Sequence, residues 1–364
     1  MPKKHKSQIK NKKLKKVLVT GASGLVGGHC VKELVERGYR VRASVRSLED
    51  PDKYQYLRDL DPKIELVEGD LEIPEHWLEA TKDVDAVLHV AAPVPRQQPK
   101  KEEELIEPTV NGVENVFSAC LANKVKRIVM TSTIFSIISG HEKDKLEYTE
   151  DDFGNVDNLT FYHKAKTIAE LKAWEFVKAN PGQLNLTALC PGLILGVPVA
   201  NIACASNDFL VRLMQGEFPS CPKMKFFLTS VREVALAHVN ALSLPDTEGK
   251  RYAIFGESMW FKGFAGIIEE KYGPRGYKLP TSEMWYTTFY MVGWLDYMTK
   301  SMRNEWDKDI QLSNARSVEE LDLKYEDPAS YIHDTVDWLL ENGYIKLSKK
   351  DKAEAEAEEK IEEG

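Results

Sequence analysis

A short apolar run, Val17-Leu18-Val19, enters three glycines at G-x-x-G-x-x-G spacing in Thr20-Gly21-Ala22-Ser23-Gly24-Leu25-Val26-Gly27, and a helix-period pattern follows at once. A strand that turns through glycine into a helix lets backbone close on a pyrophosphate. Gly21 makes the tight turn, a side chain at Gly24 would hold phosphates off, and Gly27 lets the helix pack close to the strand. The unpaired N–H groups of the helix N-terminus then face the anion. The chain therefore reads as a dinucleotide-binding protein, with Ser23, Leu25 and Val26 as further cofactor contacts in the same turn.

Alternating signals extend that turn into a sheet. Residues 15–20, 40–45, 64–67, 86–90, 127–131 and 184–189 read as strands, and residues 25–37, 74–80, 105–123 and 161–179 as helices. Crossovers of this length predict an α/β fold, a Rossmann-type doubly wound parallel sheet. After residue 191 the pattern loosens into a smaller mixed α/β C-terminal substrate lobe, with some segments returning to the sheet. The expected division is a basic disordered arm (1–13), a cofactor-binding domain (14–191), the substrate lobe (192–345) and a charged tail (346–364). The tail is expected to be solvated, as disordered chain or a fraying helix. The aromatic stretch 285–306 reads as a lid or core helix of the lobe. Asp296 and Lys300 interrupt any apolar face long enough for a membrane surface.

Composition narrows the function class. The net charge is −8 and no basic stripe interleaves with aromatics, which argues against nucleic acid as a partner. No run of eighteen apolar residues occurs, so no transmembrane helix is expected. The five cysteines are scattered and form no C-x-x-C, which fits buried thiols in a reducing compartment better than a zinc site or a disulfide frame. No metal is expected. The Lys-rich N-terminus has no apolar segment of the secretory type, and the expected location is cytoplasmic.

Two further clusters carry chemistry. The second strand ends in Val45-Arg46, with no acid before Glu49 to take a ribose 2′-hydroxyl. Arg46, assisted by Lys53, would instead grip a 2′-phosphate, which favours NADPH over NADH. Asp70 and Leu71 after the third strand would meet the adenine, and Ala91-Ala92-Pro93 after the fourth leave room for the cofactor backbone. His89 reads as a satisfied histidine below that surface. Tyr162 and Lys166 stand at i, i+4 on one helix face. A tyrosine titrates near pH ~10, and a nearby ammonium would lower it, so that Tyr162 passes a proton to a carbonyl as hydride arrives. Thr133, with Ser132 as the second choice, would orient that carbonyl from the end of the fifth strand.

Together these residues resemble the extended short-chain dehydrogenases/reductases, and within them the dihydroflavonol 4-reductase/cinnamoyl-CoA reductase-like group. The matching pieces are Thr20-Gly21-x-x-Gly24-x-x-Gly27, Val45-Arg46-Ser47, Gly69-Asp70-Leu71, Val90-Ala91-Ala92-Pro93, Pro108-Thr109-Val110-Asn111-Gly112, Met130-Thr131-Ser132-Thr133, Tyr162-x-x-x-Lys166 and Pro191-Gly192. With weaker matches at Ser230–His238 and at Asn314-Ala315-Arg316 before a Glu-Leu pair, they cover roughly residues 14 to 345 in order. The resemblance implies that Thr133 takes the place of the catalytic hydroxyl, that Arg46 and Lys53 meet the 2′-phosphate, and that Pro191 and Gly192 pack by the nicotinamide.

The chain departs from the plant enzymes of that group. Ile138 stands where dihydroflavonol reductases carry an asparagine for flavonoid hydroxyls. Asn158-Leu159-Thr160-Phe161 replaces the Trp-Tyr-Cys-Tyr-type run of cinnamoyl-CoA reductases. With Ile134, Ile138 and Phe161 as expected substrate contacts, the reading is an NADPH-dependent reductase of an aldehyde or ketone in an apolar pocket, acting as monomer or homodimer. Two alternatives are a non-catalytic, cofactor-bound subunit of a larger assembly and a 3β-hydroxysteroid dehydrogenase or nucleotide-sugar epimerase.

Overall fold

The computed structural model describes residues 16–93, 101–142, 144–159, 161–201, 204–292 and 303–353. Its main sheet begins with β1 (Lys16–Thr20), β2 (Arg40–Val45), β3 (Glu65–Glu68), β4 (Ala86–His89) and β5 (Arg127–Thr131), and is completed by β7 (Asn185–Pro191) and β10 (Lys250–Ile254). The spatial order is β10-β7-β5-β4-β1-β2-β3, every pairing being parallel. All five residues of β1 and all four of β4 are buried, as expected of parallel strands covered on both faces.

Period-two alternation divides β1 between two cores. Val17 and Val19 pack with Cys30, Val31 and Leu34 of α1 (Leu25–Glu36), and with Val234 and Ala237 of α8 (Val231–Ser243). Leu18 faces the other way, into a cluster with Val113 and Phe117 of α4 (Glu103–Ala122) and Ala169 and Ala173 of α6 (Phe161–Ala179). Short helices α2 (Gln55–Leu60), α3 (Pro74–Ala80) and α5 (Phe135–Ile138) complete this half.

Two elements beyond residue 191 belong to the sheet layer. Strand β10 pairs with β7 from Lys250↔Thr187 to Ile254↔Pro191. Helix α8 lies beside α1 and starts at a capping box in which Ser230 and Glu233 satisfy each other's backbone N–H.

The smaller lobe is built on β8 (Leu193–Leu195), β9 (Lys225–Ser230) and β11 (Glu257–Trp260), with β9 parallel to β8 and antiparallel to β11. Helices α7 (Ala205–Met214), α9 (Phe261–Tyr272) and α12 (Pro328–Glu341) pack on it through Leu210, Leu213, Phe264, Ile268, Ile332 and Leu339. A small parallel pair, β6 (Glu147–Tyr148) with β12 (Gln311–Leu312), and helix α11 (Ala315–Glu320) close the edge.

Two expectations are refined. The charged tail is docked where it starts: the Asp351 carboxylate is buried and accepts from Arg275 Nε at 3.0 Å and from Tyr277 Oη at 2.5 Å. Residues 354–364 lie outside the described residues, as does the basic arm. Residues 293–302 of the aromatic stretch lie outside the described residues, and its described part is core on one side. In α10 (Tyr286–Val292) Phe289 is buried against Met224, Met284 and Trp306, whereas Met291 is 70% exposed and Trp285, just before the helix, 80%. Among the described residues no helix is long and apolar enough to cross a membrane.

Backbone approach makes Gly192 a sensitive position. A Cβ there would lie 2.1 Å from the Phe227 carbonyl oxygen, whereas one on Gly266, exposed within α9, meets nothing within 4 Å. Thermal melts should show Gly192→Ala losing more than about 2 kcal/mol, and Gly266→Ala unchanged or gaining ~0.5–1 kcal/mol from helix propensity.

Candidate active site

The strand order reverses about β1 and β4, which are neighbours but whose outward connections run in opposite directions. In open α/β sheets the ligand crevice lies at such a switch point, beyond the strand C-termini. The glycine turn stands there. Gly21 adopts φ +64°, and a Cβ on it would sit 3.0 Å from Ala91 Cα. Thr20 ties the two strand ends together, its hydroxyl accepting the N–H groups of Val90 and Ala91, each at 3.0 Å, and meeting His89 Nδ1 at 3.1 Å. His89 is buried, and burial holds its imidazole down to about 3. It is the neutral, satisfied histidine expected.

The three glycines have different reasons. A Cβ on Gly27 would come within 2.1 Å of the Gly21 carbonyl oxygen, so helix and turn touch through backbone. A Cβ on Gly24 would meet only that same oxygen, at 3.4 Å. The protein itself leaves Gly24 room, and the space over it suits an incoming phosphate. Helix α1 opens with no side-chain cap and no acid in its first turn, so its N–H groups suit an anion. These residues fit a dinucleotide pyrophosphate. Ser23, Leu25 and Val26 lie partly exposed in the same turn, and Ala91, Ala92 and Pro93 partly exposed across from it.

The expected 2′-phosphate and adenine contacts follow β2 and β3. Arg46 is exposed directly after β2. Lys53 is 77% exposed and pairs with Asp50 at 2.9 Å, so it reaches a phosphate only by leaving that partner. Asp70 folds back on its own turn, one carboxylate oxygen accepting from the Glu72 N–H at 3.0 Å. Leu71 presses on α4, where a Cβ on Gly112 would meet it at 2.9 Å.

Thr133, Tyr162 and Lys166 come from the end of β5 and the start of α6. Ser132 N–H donates to the Leu189 carbonyl at 2.7 Å and Ile134 N–H to the Pro191 carbonyl at 2.9 Å, which carries Thr133 past the strand in sheet-like pairing beside Pro191 and Gly192. Lys166 Nζ donates to the Thr131 carbonyl at 2.8 Å. Lys166 is buried, and burial lowers its ammonium to about 8, with Glu170 opposing. Tyr162 is partly exposed, yet the protein packed round its ring pushes the phenol up to about 12. The lowering expected beside Lys166 with a nicotinamide in reach is not seen in the protein alone, where burial of the phenol sets the direction.

Helix α6 starts under local constraint. Phe161, its first residue, has φ +49°, an unusual value for a bulky side chain. Glu102 stands over it, accepting from the Phe161 N–H at 3.3 Å and from Lys164 Nζ at 2.9 Å. Neither role of Glu102 is legible in its local sequence.

Ser132 is not placed as a second orienting hydroxyl, because it donates to the buried Glu170 carboxylate. Ile134 and Ile138 are corrected as substrate contacts. Both sit in a buried cluster with Cys190, Phe227 and Phe255 and form the wall behind Thr133. Phe161 is also buried. His163 stacks on Phe135 at 3.9 Å, and burial lowers its imidazole to about 4. Two surface cavities, of about 630 and 400 Å³, lie elsewhere and are lined by none of Thr133, Tyr162 and Lys166.

The pattern of the 3-beta hydroxysteroid dehydrogenase/isomerase family matches residues 18–262. Cinnamoyl-CoA reductase 1 of Arabidopsis thaliana is 31% identical over 339 residues, which cover 91% of each chain. The chain belongs to this family of extended short-chain dehydrogenases/reductases. A bifunctional dihydroflavonol 4-reductase/flavanone 4-reductase of Malus domestica is 29% identical over 287 residues, 73% of this chain and 78% of that one. In fold the chain is similar to yeast methylglyoxal/isovaleraldehyde reductase Gre2 complexed with NADPH (TM-score 0.74, 24% identity, covering 90% and 98% of the two chains). It is similar also to vestitone reductase from alfalfa (TM-score 0.71, 24% identity, 91% and 100%).

Two expected outcomes test this geometry. Gly24→Val should leave the melting temperature within a few degrees while weakening NADPH at least tenfold in a fluorescence titration. Lys166 titrates near 8 in the folded protein against 10.5 for the ordinary group. Below pH 8 folding therefore carries a buried ammonium at a cost, relieved as pH rises from 8 towards 10.5. Lys166→Met should stabilise the cofactor-free protein by roughly 1–3 kcal/mol at pH 7, with the gain shrinking in melts taken above pH 8.

Proposed function

We propose that this protein is an NADPH-dependent reductase of an aldehyde or ketone. One observation carries the reading: Tyr162 and Lys166 share a face of α6, and Lys166 is bonded to the last residue of β5, two positions before Thr133. NADPH, when bound, supplies the hydride. Gly21, Ser23, Gly24, Leu25, Val26 and Gly27 would hold its pyrophosphate, and Arg46 and Lys53 its 2′-phosphate. Asp70 and Leu71 would meet the adenine, Ala91, Ala92 and Pro93 the cofactor backbone, and Pro191 and Gly192 the nicotinamide.

Thr133 would donate a hydrogen bond to the substrate carbonyl oxygen and orient it. Tyr162, with its phenol raised to about 12, is protonated throughout the neutral range and is the proton donor. Its O–H bond breaks as the carbonyl oxygen takes the proton, and an alcohol leaves. The Lys166 ammonium stabilises the phenolate left behind until solvent reprotonates it. A lysine near 8 loses that charge above pH 8, so kcat should fall on the alkaline side. The relatives' names, cinnamoyl-CoA and dihydroflavonol reductases, and the Gre2 complex with NADPH support the reaction type.

Purified protein should oxidise NADPH with members of an aldehyde and ketone panel, and silence across the panel sinks the reading. Tyr162→Phe should lower kcat at least 100-fold with the NADPH Kd within threefold. Arg46→Ala should weaken NADPH about tenfold or more, the value of a charge-assisted phosphate contact, and leave NADH binding unchanged.

A further inference from the structure

Behind Thr133 lies a buried ion pair that the proposed chemistry does not use. The Glu170 side chain is completely buried and that of Arg251, on β10, nearly so. Glu170 Oε1 accepts from Arg251 Nε at 2.6 Å and from Trp174 Nε1 at 3.1 Å. Its Oε2 accepts from Ser136 Oγ at 2.6 Å, from Arg251 Nη2 at 3.2 Å and from Ser132 Oγ. The guanidinium also donates to the carbonyls of Glu150, Asp152 and Ser136, and stacks on the Phe153 ring with 3.8 Å to its centroid.

The partners have a pattern. Glu170 lies one turn past Lys166 and two past Tyr162 on the same face of α6. Ser132 and Ser136 bracket Thr133. One carboxylate therefore grips the helix that carries Tyr162 and Lys166 and, at two points, the turn that carries Thr133. A buried ion pair is weak evidence for stability, since apolar residues of similar volume often do as well. Its directional bonds do fix register. Burial opposes ionisation of Glu170, but Arg251 and the two serines hold its carboxyl below the ordinary range.

Resting on the reductase reading, we propose that Glu170 and Arg251 are positioning residues that lock the 132–136 turn to α6 and so set Thr133 against Tyr162 and Lys166. The Ser132 hydroxyl serves this anchor and not the substrate.

Four proteins test it: wild type, Glu170→Gln, the double variant Glu170→Gln/Arg251→Met, and Ser136→Ala, which removes the hydroxyl's contacts with Glu170, Arg251, Ser132 and the Thr133 carbonyl and leaves the ion pair. The measurements are kcat and KM with the best aldehyde or ketone of the panel, the NADPH Kd, the melting temperature, and hydrogen exchange of the 136–138 amides, which bond within this turn. Glu170→Gln should lower kcat at least tenfold, keep the NADPH Kd within threefold, lower the melting temperature and speed exchange at 136–138. The double variant leaves no unpaired buried charge, so it should recover most of the melting temperature while kcat stays low. Ser136→Ala should lower kcat about threefold with faster exchange, which keeps the test valid if Glu170→Gln does not fold.

Recovery of kcat along with the melting temperature in the double variant overturns the proposal, because the pair is then only structural. Unchanged exchange at 136–138 in Glu170→Gln or Ser136→Ala overturns it as well. Wild-type protein without turnover on the panel overturns the reductase reading instead, and the exchange measurements then decide the anchor.

Discussion

Backbone contact between Gly27 and the Gly21 carbonyl is the constraint on which the rest of the structure depends. No side chain fits there, since a Cβ would stand 2.1 Å from that oxygen. Helix α1 is thereby pulled onto the end of β1, and its N-terminus opens over the point where the strand order reverses. The neighbouring Gly24 has room for a Cβ, with only the Gly21 carbonyl oxygen at 3.4 Å, so packing by itself does not require a glycine there. Thr20 completes the arrangement by bonding the end of β4 to that of β1.

Burial decides the chemistry of the second half of the site. Lys166 is drawn down to about 8 and Tyr162 pushed up to about 12, both by desolvation. In the proposed reaction Tyr162 would act as the protonated phenol and Lys166, one turn further along α6, as the ammonium. Their placement depends on groups distant in sequence. Glu102 holds the first turn of α6, and Arg251 reaches Glu170 from β10. The candidate site is assembled from the segments around residues 102, 131–136, 161–170 and 251, and its proposed reactive groups come from two of them.

Much of this was legible in the sequence. Helices α3 and α6 and strands β2 and β5 begin and end where capping, proline and alternation place them. The glycine turn and the Tyr162/Lys166 spacing are local patterns, and local patterns survive without knowledge of tertiary partners. Ile134 and Ile138 were misread because an apolar residue near a reactive hydroxyl looks the same whether it lines a pocket or backs it. The docking of the tail at Asp351 was missed because a charged run gives no sign that this carboxylate will find Arg275 and Tyr277. Glu170 follows Lys166 at the same four-residue spacing as Lys166 follows Tyr162, and that repeat was the one available clue to the anchor.

By itself the sequence determined the doubly wound sheet, the dinucleotide turn and the face on which Tyr162 and Lys166 stand. Each depends on spacing along a single strand, turn or helix. Only the tertiary structure decided that Ser132 bonds to Glu170, that burial pushes the Tyr162 phenol up, that β10 returns to the main sheet, and that Arg251 meets Glu170 across 81 positions. Those outcomes depend on burial and on contacts between distant segments, which exist only once the sheet has brought them together.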